Sequence, residues 1–178
     1  GYQEILTDPS YRGQIVAMTY PEIGNYGTND LDQESAAPHV RGFVIEELSP
    51  VASNWRSQRT LGDYLAEAGV PGIQGIDTRR LAKLLRTRGA MKACLSTAPI
   101  DADAAVRAAR ECEGVLGMDF VREVTPSASY EWDPESERSR EWTIVKGAAL
   151  DDSHLEAGPQ GQVFLPLPPP RHHVVAYD

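Results

Sequence analysis

Along the first 125 residues, apolar positions switch between a two-residue and a roughly four-residue rhythm, and the switches divide the chain into short strands and helices. Residues 14–20, Gln-Ile-Val-Ala-Met-Thr-Tyr, form a β-branched apolar run that Pro21 stops, which predicts a strand. Residues 21–29 hold a proline, two glycines and two asparagines, all suited to turns and to positive φ. A second strand is expected over 42–48, alternating in its latter part and ended by Ser49 and Pro50. Thr60 is placed to cap a helix through Ala68, with Leu61, Tyr64, Leu65 and Ala68 on one face and Gly69 as the stop. Residues 72–76 suit a short strand. Asp77 then caps the clearest helical pattern, in which Leu81, Leu84 and Leu85 make an apolar stripe and Gly89 ends the run. Residues 91–96 predict another strand, and 102–112 a third amphipathic helix that opens after Asp101 or Asp103. Strand and helix alternate, so the class is mixed α and β, α+β in type, with core elements ending near Thr125.

Beyond that point the pattern changes. Residues 126–178 carry nine acidic and four basic side chains and collect Pro, Gly and Ser, ending in the run Leu165 to Pro170, Leu-Pro-Leu-Pro-Pro-Pro. Successive prolines donate no backbone hydrogen bonds and favour extended geometry, so 126–172 is expected to be an acidic, Pro-rich linker. Val174 to Asp178 then suits the opening strand of a further domain.

Charge and composition narrow the function. A net charge of −9 disfavours a nucleic-acid binder, which needs a concentrated basic footprint to displace counterions from phosphates. No apolar run approaches the roughly 18 residues of a membrane span, and Gly1-Tyr2-Gln3-Glu4 resembles no signal peptide. No nucleic-acid or membrane partner is therefore expected. Two cysteines, Cys94 and Cys112, are too few for a disulfide framework or a zinc site, which suits a reducing cytoplasm.

Catalytic chemistry is hard to assemble from these residues. Cys94 falls mid-strand in the expected 91–96 element, where a small buried hydrophobe is the simplest role. Cys112 ends a helix between Glu111 and Glu113, whose charge opposes a thiolate. His39, His154, His172 and His173 match no metal-ligating spacing and suit ordinary solvent-facing or turn roles; no Gly-rich phosphate loop occurs either. Glu46 and Glu47 would point to opposite faces of a strand.

Two polar clusters remain. In the turn of Thr7, Asp8, Pro9, Ser10 and Tyr11, Asp8 or Ser10 could accept a backbone N–H, and composition favours such capping over ligand contact. The helix after Asp77 displays Arg79, Arg80, Lys83, Arg86 and Arg88, either a solvated face or a surface that docks an acidic partner.

The run Gly-Tyr-Gln-Glu-Ile-Leu-Thr-Asp-Pro-Ser-Tyr-Arg-Gly-Gln-Ile-Val at 1–16, continued by 19–27, closely resembles the N-terminal domain of the carbamoyl-phosphate synthetase small-subunit family. Further matches are 52–56 (Ala-Ser-Asn-Trp-Arg) and 72–79 (Gly-Ile-Gln-Gly-Ile-Asp-Thr-Arg) with Leu81 and Leu85. Residues 173–178, His-Val-Val-Ala-Tyr-Asp, resemble the first strand of that family's class I glutamine amidotransferase domain. The resemblance covers roughly 1–125 and 173–178, and implies a layered β/β/α swivelling-type domain at 1–125 with about thirty further residues of the family pattern ahead of Gly1.

It also implies a function. The family's small subunit hydrolyses L-glutamine with a cysteine in a Gly-x-Cys-x-Gly elbow, helped by a His and a Glu, and passes ammonia to a large subunit that makes carbamoyl phosphate. That elbow, His and Glu do not occur in these 178 residues, so no catalytic residue carries over and the chain alone is expected to be inactive. One binding residue does: Ser10 matches the serine that contacts glutamine from the N-terminal domain, which raises ligand contact above capping. Arg79 and Arg80 are the residues expected to dock the large subunit. No cofactor or metal is expected in this chain, with ATP and Mg expected only in the large subunit. A non-catalytic assembly module that completes the glutamine pocket is the alternative.

Overall fold

A computed structural model describes residues 1–134, 156–157, 163–166, 169 and 174–176. The chain falls into two units, Gly1–Val124 and Thr125–Asp178.

The first unit is built on three parallel strands, β1 (Ile15–Ala17), β2 (Gly42–Val44) and β3 (Gly72–Ile73), side by side in that order. Ile15 pairs with Gly42 and Ala17 with Val44; Phe43 pairs with Gly72 and Val44 with Ile73. Parallel neighbours need crossover connections. Helix α2 (Leu61–Glu67) lies on the crossover from β2 to β3. The crossover from β1 to β2, residues 18–41, contains no helix and is held by hydrogen bonds to α1 and to the segment that follows β2. Isolated bridges join Ile23 to Leu48 and Thr28 to Arg59.

Each strand is shorter than its residue pattern predicts. Ladders last only while a neighbour runs alongside, and here they last three, three and two residues. Glu46 and Glu47 accordingly lie past the end of β2, both exposed, and do not sit on opposite faces of a strand. The expected strand at 91–96 is absent. No strand of the described residues pairs with it, and an extended run without a partner leaves backbone polar groups to water.

Helix ends follow local chemistry closely. Thr60 accepts the Asp63 amide at 3.1 Å, Asp77 that of Arg80 at 2.8 Å, and Asp101 that of Ala104 at 2.8 Å. These open α2, α3 (Thr78–Arg88) and α4 (Ala102–Glu111). Gly89 closes α3 with φ +79°, a left-handed conformation that glycine adopts without steric penalty. Two short helices, α1 (Tyr2–Thr7) and α5 (Phe120–Val124), were not expected from the pattern.

Tyr2, Leu6, Ile23, Val40, Phe43, Ile45, Leu61, Tyr64 and Leu65 form the core. Leu6, Phe43 and Leu61 are almost wholly buried, and burial of such side chains stabilises the fold by roughly 1.5–3 kcal/mol each. The core thus sits between α1, β2 and α2. Farther along the chain packing thins: α3 buries only Thr78, Leu84 is 39% exposed, and α4 buries nothing. Cys94 is exposed rather than a buried strand residue, because the strand meant to bury it does not form.

In the second unit, β4 (Glu156–Ala157) pairs antiparallel with β5 (Val163–Phe164), a short ladder inside the stretch read as linker. Phe164 is buried. Residues 174–176, expected to be strand, are exposed and pair with nothing among the described residues. Residues 177–178 and His154, His172 and His173 lie outside the described residues.

Candidate functional site

Chemically distinctive polar residues gather where α1 hands over to β1. Asp8, at the end of α1, has extended backbone (φ −72°, ψ 120°), and its carboxylate accepts the Ser10 amide at 2.8 Å. That caps a single 3₁₀ turn, Pro9–Tyr11, in which Pro9 supplies a fixed φ and needs no donor partner. The capping residue is therefore Asp8, and Ser10 is the residue capped. Gln14 Nε2 donates to the Ser10 carbonyl at 3.0 Å. Both main-chain groups of Ser10 are engaged, and its exposed hydroxyl has no partner among the described residues.

Residues distant in sequence back this turn. Gly13 has φ +79°, and a Cβ there would lie 2.5 Å from Phe120 Cζ, so the ring of α5 covers it closely. Arg12 donates twice to one Glu123 carboxylate oxygen, from Nε at 2.9 Å and from Nη2 at 2.8 Å. On the other side His39 donates its amide to the Leu6 carbonyl at 2.9 Å, and its carbonyl accepts from Gly13 at 3.4 Å. His39 Nε2 lies 3.0 Å from Ser35 Oγ. The Ser35 hydroxyl is already committed to the Thr7 carbonyl at 2.6 Å, so Nε2 is the donor. Burial, reinforced by the Arg12 guanidinium and opposed by Asp8, lowers the His39 pKa. His39 is thus a neutral, half-buried connector rather than a solvent-facing side chain. A depression of about 300 Å³ lined by Arg12, His39, Arg41 and Val70 adjoins the turn.

Arg79 and Arg80 open α3, where both are exposed. Arg12, Arg56 and Arg59 are each paired with a carboxylate, at 2.8, 2.6 and 2.6 Å. No described carboxylate pairs with Arg79, Arg80, Lys83, Arg86 or Arg88. No hydrogen bond or ion pair joins this basic face to the Ser10 turn.

Other candidates supply no catalytic grouping. Cys112 is exposed at the end of α4, where its thiol reaches the Ala109 carbonyl at 3.3 Å and its own carbonyl accepts from Lys92. Among the described residues no three His, Cys, Asp or Glu side chains converge to hold a metal ion, and no helix is long and apolar enough to cross a membrane.

A family model described as carbamoyl-phosphate synthase small chain, CPSase domain, matches residues 1–95, just over half of the chain. The chain belongs to the carbamoyl-phosphate synthase small-chain family. Among its relatives, the carbamoyl phosphate synthase small chain of Syntrophotalea carbinolica is 43% identical across all of this chain and 42% of its own length. Those of Rhodopirellula baltica and Thioalkalivibrio sulfidiphilus are 48% and 52% identical over 86% and 74% of this chain, and over 39% and 35% of their own lengths. The chain spans about two-fifths of the length of the curated relatives it matches.

Both features of this carbamoyl-phosphate synthase small-chain member, the Ser10 turn and the start of α3, fall inside the matched 1–95. The backing residues Phe120 and Glu123 fall outside it, and nothing local in the sequence points to them. Gln14 could have been found from its spacing, four residues after Ser10.

Proposed function

We propose that the complete protein is the small subunit of a glutamine-hydrolysing carbamoyl-phosphate synthetase, releasing ammonia from L-glutamine for a large subunit that makes carbamoyl phosphate from bicarbonate and ATP. In this reading the nucleophilic cysteine and its His and Glu partners belong to a part of the protein outside these 178 residues. Residues 1–125 are the N-terminal domain, of the layered β/β/α type; 126–172 connect it to the amidotransferase domain that 173–178 begin. ATP and Mg belong to the large subunit, this chain holds no cofactor, and the assembly works in the cytoplasm.

The observation that carries the substrate role is the Ser10 turn: main chain pinned on both sides, hydroxyl exposed and unpaired among the described residues. A hydroxyl can donate to or accept from an amino-acid head group without adding charge. Loss of one neutral hydrogen bond costs about 1 kcal/mol, so Ser10→Ala in the full-length protein should raise the KM for glutamine about fivefold with kcat retained. An unchanged KM returns Ser10 to a purely local role.

The unpaired basic face of α3 supports a second contribution. Arg79 and Arg80 dock the large subunit, and a chain lacking catalytic groups then acts as the assembly module that completes the glutamine pocket.

A further inference from the structure

Ser10 has three polar groups, and the fold treats them differently. Its N–H is taken by the Asp8 carboxylate at 2.8 Å and its carbonyl by Gln14 Nε2 at 3.0 Å, while Oγ has no partner among the described residues. The Asp8 contact is a cap of ordinary kind. The Gln14 contact is not required by the core: Gln14 is exposed, and its side chain makes no other described hydrogen bond. Its main chain, by contrast, is fixed at the entrance to β1, where its amide donates to the Tyr11 carbonyl at 3.1 Å and its carbonyl accepts from Arg41 at 2.7 Å. A side chain anchored to the sheet therefore reaches back four residues to hold the peptide that carries the hydroxyl. From behind, Phe120 covers Gly13 and Glu123 holds Arg12, so the segment between Asp8 and Gln14 is braced at both ends and along its back.

We propose that Asp8 and Gln14 are positioning residues for substrate binding: they fix the Ser10 peptide so that its hydroxyl is presented in one place before glutamine arrives. This rests on the reading of Ser10 as a glutamine contact. The physical gain is preorganisation. An exposed turn that must be ordered on binding weakens affinity by the entropy of ordering, whereas a turn already held retains the full contribution of the hydroxyl. Neither residue touches the substrate; both act through Ser10.

The test uses the full-length protein with its large partner chain, assayed once with glutamine and once with ammonium as the nitrogen source. Gln14→Ala and Asp8→Ala should each raise the KM for glutamine about three- to fivefold, the loss expected when one hydrogen bond is removed. Ammonium-supported synthesis, which bypasses the glutamine pocket, should be unchanged. Asp8→Asn keeps an acceptor oxygen and should stay near the parent value. In a Ser10→Ala background, Gln14→Ala should add nothing, because it acts through the missing hydroxyl. Additive effects in that double variant overturn the positioning role, as does an unchanged KM in both alanine variants, or an equal fall with both nitrogen sources. If Ser10→Ala raises the KM but Gln14→Ala and Asp8→Ala do not, only this inference falls. If Ser10→Ala itself has no effect, the glutamine-contact reading falls and this one with it.

Discussion

Gln3 and Asn29 form a closed pair in which a buried side chain takes the place of a neighbouring strand. Gln3 Nε2 donates to the Asn29 carbonyl at 2.5 Å, and Gln3 Oε1 accepts the Asn29 amide at 3.0 Å. Gln3 is fully buried on α1, and Asn29 sits midway along the helix-free crossover from β1 to β2. Asn29 in turn caps the next bend, its Oδ1 accepting the amides of Leu31 and Asp32 at 2.9 and 3.0 Å, and Asp32 pairs with Arg56 at 2.6 Å. One amide side chain thus anchors a long irregular segment to the first helix.

Replacing Gln3 with Leu should be costly despite matching its size. It strands the buried amide and carbonyl of Asn29, so a loss of about 2–4 kcal/mol is expected. Urea unfolding would register it as a lower midpoint at unchanged slope. A change below about 0.5 kcal/mol would mean that water enters and satisfies Asn29.

Tyr2 and Tyr26 predict alkaline sensitivity. Their rings stack with centroids 4.1 Å apart, the Tyr26 hydroxyl accepts from the Tyr2 amide at 2.9 Å, and the Tyr2 hydroxyl donates to the Gly27 carbonyl at 2.6 Å. Burial first, then the neighbouring Tyr26, pushes the Tyr2 pKa above its usual 10.0, and burial does the same for Tyr26. A folded-state pKa above the unfolded value gives stability that is complete below pH 10 and declines as pH rises toward the folded pKa. Unfolding free energies compared at pH 9 and 11 should fall more in the parent protein than in Tyr2→Phe; equal slopes would exclude Tyr2 as the cause.

His39 predicts the opposite flank. Its pKa is lowered by burial and by Arg12, so the folded protein holds it neutral. A lowered folded pKa gives stability that is present above 6.5, the ordinary value, and is lost as pH falls through the folded value. Stability should therefore drop as pH falls below the ordinary histidine value, and His39→Gln, which keeps a donor for Ser35, should flatten that slope. Parallel pH profiles for the two proteins would count against it.

The basic face of α3 is tested by charge reversal. Arg79→Glu together with Arg80→Glu should weaken association with the large subunit and reduce its dependence on salt, since both residues are exposed and lack described carboxylate partners. Titration of the variant against the large subunit decides the matter. Unaltered association at low and high salt would make this face merely solvated.

Helix starts were legible in the sequence because their causes are local. Thr60, Asp77 and Asp101 each meet an amide three residues on, and the Asp8–Ser10 cap spans only two. Strand lengths were not legible, because a strand is defined by its neighbour: 91–96 reads as a strand, but no ladder of the described residues receives it, and Cys94 is exposed as a result. The six-residue α1 is too short to declare itself by periodicity and is held in place by burial of Tyr2, Gln3, Leu6 and Thr7.

For the candidate site the division is the same. By itself the sequence determined the family resemblance, the turn at Asp8 to Tyr11 and the basic helix that carries Arg79 and Arg80. Only the tertiary structure decided that Glu123 and Phe120, more than a hundred residues away, brace the turn, and that His39 is half-buried and neutral. Hydrogen bonds between close neighbours are set by residue type and spacing. Contacts between distant segments exist only once the chain has folded over its core, and here they back Arg12 and Gly13, next to the Ser10 turn.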